Sequence, residues 1–103
     1  MTERTELGSE LYVLFDDDIA RMKLEFFPRR VFVHYHAKAS AFKVARRALR
    51  IWPQVMAICK RIGYARIEAL FKDDKALERL CRLCGFTTVG HERGLTYMRC
   101  NYA

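Results

Sequence analysis

The period of apolar positions changes several times along the chain, and each change marks an element. Leu11-Tyr-Val-Leu-Phe15 is an apolar run closed by Asp16-Asp-Asp18, which predicts a short strand ending in a turn. From 19 to 27 the pattern alternates, with Met22, Leu24 and Phe26 on one side and Arg21, Lys23 and Glu25 on the other. That is the mark of a half-buried strand, the hairpin partner of the first. Pro28-Arg-Arg30 breaks it, and the β-branched and aromatic stretch Val31–His36 predicts a third strand. Then the period becomes helical. Ala45, Ala48, Leu49, Trp52, Val55, Met56 and Cys59 recur at the spacing of one buried face. The spacing predicts a helix over 41–62, kinked or divided at Pro53 and stopped by Gly63. A fourth strand is expected over 65–71, then a helix over 74–84 capped by Asp73 or Asp74 and closed by Gly85. A hairpin with strands near 86–90 and 95–100, around Gly90–Gly94, completes the order β-β-β-α-β-α-β-β.

Such an order belongs to the α/β (α+β) class, a mixed, mostly antiparallel central sheet with two main helices packed on it. The 103 residues suit a single domain over 1–103, with residues 1–9 expected to be flexible. A composition 51% hydrophobic and 30% charged is that of a soluble globule. No apolar run approaches the ~18 residues of a membrane span, so no membrane partner is expected. The polar start Met1-Thr-Glu-Arg-Thr-Glu6 does not resemble a secretory signal. The four cysteines are therefore expected to be reduced, in a cytoplasmic protein.

Charge adds information through its distribution. Between Phe26 and Ile67 there is no Asp or Glu, while Arg29, Arg30, Lys38, Lys43, Arg46, Arg47, Arg50, Lys60, Arg61 and Arg66 all fall there. An acid-free basic middle in a chain of net charge +7 suits either a solvated face or a polyanionic partner, whether nucleic acid or a phosphorylated ligand. Cys81-x-x-Cys84 and His34-x-His36 together would make a Cys2His2 zinc set by spacing. The cysteine pair, however, falls in the last turn of a patterned helix, where cysteine commonly serves as a small apolar filler. No metal is expected. The histidines are read either as a strand face or as bases near neutral pH.

The stretch from Arg66 to Cys100 resembles the C-terminal part of the GNAT acetyltransferase superfamily. In that family the segment after the fifth strand commonly reads N-x-x-A-x-x-L-Y-x-x-x-G-F. Here Asp73 stands at the Asn, Ala76 and Gly85-Phe86 match, and Leu80 is one position off. Upstream, strand Val31–His36 and the basic-headed helix Ala41–Ile62 look like the family's coenzyme A-binding strand and helix. The similarity covers roughly residues 11–101 without the usual N-terminal helices, and is strongest to short members encoded in phage genomes. It implies a minimal GNAT-like fold whose cofactor is acetyl-CoA. The family's glycine-rich phosphate loop corresponds to His36-Ala-Lys-Ala-Ser-Ala-Phe-Lys43, which has no glycine. The resemblance therefore puts cofactor binding on Lys38, Ala39, Ser40, Ala41 and Lys43, with Lys38, Ser40 and Lys43 holding phosphate. It puts Cys81 near the family's tyrosine acid, and His34 or His36 where a general base could act on an amine.

Three functions follow from these readings. The first is an N-acetyltransferase acting on acetyl-CoA and an amine substrate. A second is an inactive GNAT-fold phage assembly or virion-associated protein, in the host cytoplasm or the virion, with phage or host proteins as partners. The last is a basic nucleic-acid-binding module that uses the Arg46/Arg47/Arg50 face.

Overall fold

The computed structural model of the chain describes residues 2–4, as backbone, and 8–101. They form a seven-stranded sheet and two helices. In chain order these are β1 (Thr2–Arg4), β2 (Glu10–Asp16), β3 (Ala20–Phe26), β4 (Val31–Ala37), α1 (Ala41–Ile62), β5 (Arg66–Lys72), α2 (Lys75–Leu83), β6 (Thr87–Glu92) and β7 (Leu95–Asn101). The sheet order is β1-β2-β3-β4-β5-β7-β6. Every pairing is antiparallel except β4 with β5. A parallel pair needs a long crossover, and α1 supplies it.

Six strands and both helices lie where the sequence pattern puts them, within two residues at each end. The edge strand β1 was not anticipated. Thr2–Arg4 are polar and carry no alternation, and the flexible start expected over 1–9 otherwise falls partly outside the described residues. Ser9 is buried, and its hydroxyl donates to Glu25 at 2.6 Å. Pro53 neither divides nor ends the helix, since α1 runs unbroken for 22 residues. The proline ring lies on the exposed side of the helix, where water can satisfy the carbonyl that its missing N–H leaves free. Leu49 is likewise more exposed than the helical stripe suggests. The closing hairpin turns more tightly than expected, on Arg93-Gly94 alone. Both residues have positive φ (53° and 77°), as a two-residue primed turn demands.

Both helices cover one face of the sheet. Met22, Leu24, Val31, Ile67, Ala69, Met98 and Cys100 point into a core closed by Trp52, Val55, Cys59 and Phe86. Cys81 and Cys84 pack against its edge. The alternate strand positions, including Glu25, His34, Glu68 and Tyr97, lie on the opposite face, where no helix of the described residues sits. No helix among those residues is long and apolar enough to cross a membrane.

Candidate functional site

The parallel pair β4 and β5 meets in register at Phe32 and Glu68. Beyond that point the last residues of β4 pair with β3 alone and no longer with β5. There a cleft of about 580 Å³ lies between Tyr35, His36 and Ala37 of β4, Ala41, Val44 and Ala45 of α1, and the flank of α2 from Asp74 to Leu83. Each wall has a local cause. The Tyr35 hydroxyl donates to the Val44 carbonyl (3.2 Å) and ties β4 to the first turn of α1. Asp74 caps α2, accepting from the Leu77 N–H at 3.1 Å. Gly85, at φ +102°, closes α2, and the Phe86 N–H then donates to the Cys81 carbonyl (3.0 Å). Because the cap is Asp74, counting from it puts Leu80, Gly85 and Phe86 in register with the N-x-x-A-x-x-L-Y-x-x-x-G-F pattern. The one-position offset of Leu80 disappears, and the Ala76 match is lost to Leu77.

The start of α1 is held by the β2–β3 turn. Asp17 accepts from the Ile19 and Ala20 N–H groups (2.9 and 3.1 Å) and from Arg47 (2.6 Å). The Arg47 guanidinium, with those two backbone donors, holds the Asp17 carboxyl at about 2. The N–H groups of Lys38 and Ala39 both donate to the Ile19 carbonyl (2.9 and 3.2 Å). Ser40 is the N-cap, but its side chain makes no capping bond. The first intrahelical bond runs from the Val44 N–H to the Ser40 carbonyl (3.0 Å), so the N–H groups of Ala41, Phe42 and Lys43 have neither an intrahelical partner nor a cap from the Ser40 side chain.

The structure separates the residues assigned from sequence. Of the expected cofactor-binding set, only Ala41 lines the cleft. Lys38 pairs with Asp16, the backbone N–H of Ala39 is already used, and Lys43 faces a different groove with Ile19 and Arg46. His36 lines the cleft and also a 340 Å³ groove on the opposite sheet face, and Tyr35 does the same. The two cavities therefore adjoin at the end of β4. His34 lines only the groove, held by Glu25 (Nε2 to Oε1, 2.9 Å). Burial pushes the Glu25 carboxyl up, but hydrogen bonds from Ser9 and His34 outweigh it and its pKa is lowered. Cys81 does not reach the cleft. It turns toward the core, where burial, with the nearby Cys84 and Glu78, pushes its thiol up to about 12. That is too weak an acid to protonate a departing thiolate readily at neutral pH. The Cys2His2 set is not assembled either, because Cys81 and Cys84 sit on the helix-covered face and His34 on the other.

Four buried or half-buried thiols give a direct test of this packing. Burial pushes Cys59 and Cys84 up to about 11, and Cys100 is raised as well. All four thiols are thus held toward the neutral form, and thiolate is the reactive form. A disulfide-exchange colorimetric reagent should therefore react slowly with the native protein and release four equivalents after denaturation. Rapid native labelling of two thiols would show that the α2 edge of the core is open.

No family model and no curated protein matches the sequence. Solved structures do match in shape. The crystal structure of "a putative phosphinothricin N-acetyltransferase" superposes with a TM-score of 0.64 at 18% identity, over 97% of this chain and 75% of that one. The chain has a GNAT-like acetyltransferase fold. A second structure, "putative acetyltransferase from Sphaerobacter thermophilus DSM 20745", superposes with a TM-score of 0.53 at 11% identity. In that case 82% of this chain matches and the chain spans 61% of the other protein.

The walls of the cleft fit the long, narrow arm of a coenzyme A thioester in two respects. Ala37, Ala41 and Ala45 keep it open with small side chains. The uncapped first turn of α1 beside it offers N–H groups and a partial positive charge to phosphate. The side chains of Lys38 and Lys43 add nothing inside the cleft.

Proposed function

We propose that the protein is an N-acetyltransferase that binds acetyl-CoA in the cleft between β4, α1 and α2 and acetylates an amine. The observation that carries this reading is the 580 Å³ cleft at the end of the β4–β5 ladder, on a fold shared with acetyltransferases. When bound, acetyl-CoA supplies an acetyl thioester, a carbonyl activated towards amines. The chain's own part is to hold and orient. Small alanines admit the arm, and first-turn N–H groups of α1 face the phosphates. His36 borders both cavities, so an acceptor approaching from the helix-free face would meet its imidazole first. An imidazole nitrogen of His36 accepts the proton of the acceptor ammonium, and the neutral amine then has a lone pair to attack with. His34, fixed by Glu25, lies behind it as a positioning group for the acceptor.

Calorimetry of the pure protein with acetyl-CoA tests the reading. One ligand per chain is expected, and Ala45→Trp, which fills the cleft, should weaken binding by more than about tenfold. His36→Ala should leave acetyl-CoA affinity nearly unchanged and lower kcat by about a hundredfold, the usual scale of general-base catalysis. Binding that survives Ala45→Trp would put the ligand elsewhere. Complete absence of binding would favour the alternative in which this fold serves assembly without catalysis. The tied-up Lys38 and Ala39 N–H groups and the glycine-free loop are the features that favour that alternative.

A further inference from the structure

A second groove runs along α1 on the side away from the cleft, about 590 Å³ in volume and lined by Ile19, Phe42, Lys43, Arg46, Arg47 and Arg50. It shares no lining residue with the cleft. Among the described residues, Arg47 is the one of its four cations with an acidic partner, Asp17. It serves as a fixed wall, with its guanidinium also over the Phe15 ring at 5.0 Å. Lys43, Arg46 and Arg50 are exposed and face no carboxylate among the described residues. They stand at i, i+3 and i+7, one stripe about 10 Å long at the 1.5 Å rise of an α-helix. Beside them Phe42 is 70% exposed, with the Arg46 guanidinium 5.8 Å from its ring centroid.

An exposed aromatic ring gains little from water, and it also adds nothing to a purely ionic contact. A row of cations without acidic partners among the described residues, with such a ring at its N-terminal end, matches one ligand chemistry well, a strand whose phosphates are spaced along a backbone and whose bases are free to stack. An acidic peptide would satisfy the cations and leave the ring idle. The concave shape between the helix and the β2–β3 turn suits a strand better than a flat lipid surface. A duplex would hide the faces that Phe42 could use. We propose that this groove binds single-stranded nucleic acid, with phosphates on Lys43, Arg46 and Arg50 and a base against Phe42. This differs from the sequence-based basic face in one respect: Arg47 is committed to Asp17, and Lys43 and Phe42 take its place.

Fluorescence anisotropy of the full chain with a labelled twelve-nucleotide oligothymidylate tests the proposal. Saturable binding is expected, with a slope of log K against log salt of about −2, the value for three phosphate contacts to a single strand. Arg46→Gln/Arg50→Gln should weaken binding by at least about tenfold and flatten the slope to about −0.7. Phe42→Ala should cost about tenfold at an unchanged slope, and should leave binding of inorganic polyphosphate unaffected. All three side chains are exposed, and a matching circular dichroism spectrum for each variant checks the fold. Phe42→Leu, which keeps bulk and loses the π-face, separates stacking from simple apolar contact. Absence of oligonucleotide binding at low salt would overturn the proposal. So would tighter binding of a duplex, equal affinity for anionic phosphatidylserine vesicles, or indifference of oligonucleotide binding to both Phe42 variants.

Discussion

Phe86→Ala is expected to bring the protein close to unfolding at ordinary temperature. Phe86 is 4% exposed, and its ring lies 5.1 Å from that of Trp52, the largest side chain α1 turns toward the sheet. It also follows Gly85 directly, so it carries the end of α2 and the start of β6 into the same core as Met98 and Cys100. Truncating a buried Phe to Ala costs about 3–5 kcal/mol, part lost transfer energy and part cavity. A domain of this size has about 5–15 kcal/mol in total, so the loss is a large share of it. At roughly 4 °C or more per kcal/mol, the melting temperature should fall by at least about 12 °C. Phe86→Leu, which keeps most of the volume, should cost about 1.5 kcal/mol or less. Urea melts of the three proteins measure this directly. An alanine variant less than about 1 kcal/mol below the parent would mean that the α2–β6 junction does not hold the core together.

The strands and helices were legible because each has a clear period. β3 alternates, and α1 repeats its apolar residues at helical spacing over about four turns, so register and face could both be read. β1 was not legible, because three polar residues carry no pattern and only pairing with β2 makes them a strand. The span of α1 was legible, but whether Pro53 divides it was not, for a different reason. A proline breaks a helix only where the lost hydrogen bond cannot be replaced, and exposure of Pro53 is a tertiary fact.

The cleft was half legible. Its place, where β4 ends and α1 begins, follows from the order of elements, and the resemblance to acetyltransferases agrees with the fold that the structures share. Four of the five residues expected to hold the cofactor do not line the cleft, because nearness in sequence does not fix direction. On α1, successive residues turn about 100°, so Ala41 and Ala45 share the cleft face while Lys43 turns to the row of Arg46 and Arg50. Lys38 is captured by Asp16 from across the sheet, a contact 22 residues apart that no local pattern announces. His36 does line the cleft. The alternation of β4 puts it on the helix-free face with His34, and only the position of the strand end makes it border both cavities.

Long-range pairing also hid the most consequential ion pair, which the sequence gives no means to see. Glu68 lies 1% exposed on the helix-free face, where no helix of the described residues covers it. Arg30, from the Pro28-Arg-Arg30 break, does so instead, donating through Nε and Nη2 to both carboxylate oxygens (2.8 and 2.7 Å) while stacking over Phe32. The Tyr97 hydroxyl donates to the same carboxylate. Arg30→Ala should therefore cost about 3 kcal/mol at pH 7, the lower end for removing one partner of a buried pair, since Arg30 itself is 53% exposed. The hydrogen bonds from Arg30 hold the Glu68 carboxyl below the ordinary 4.5, against the opposing effect of burial and with help from Tyr97. A carboxyl depressed in the folded state stabilises the fold above its unfolded pKa, and that contribution disappears as pH falls through the folded value. Without Arg30 the largest lowering interaction is gone and burial is opposed only by Tyr97 and Arg66, so the variant's carboxyl should lie above the parent's, and the variant should gain less stability than the parent as pH rises through the carboxylate range. The stability gap between parent and variant should consequently be widest at neutral pH and close progressively below about pH 4.5. Glu68→Gln should be milder than Arg30→Ala, because the cation it strands is half in water and the neutral amide can still accept from Tyr97. Chemical denaturation of all three proteins from pH 3 to pH 8 decides the matter. A gap that stays constant across that range would show that Arg30 stabilises the fold through packing on Phe32 and not through the charge of Glu68.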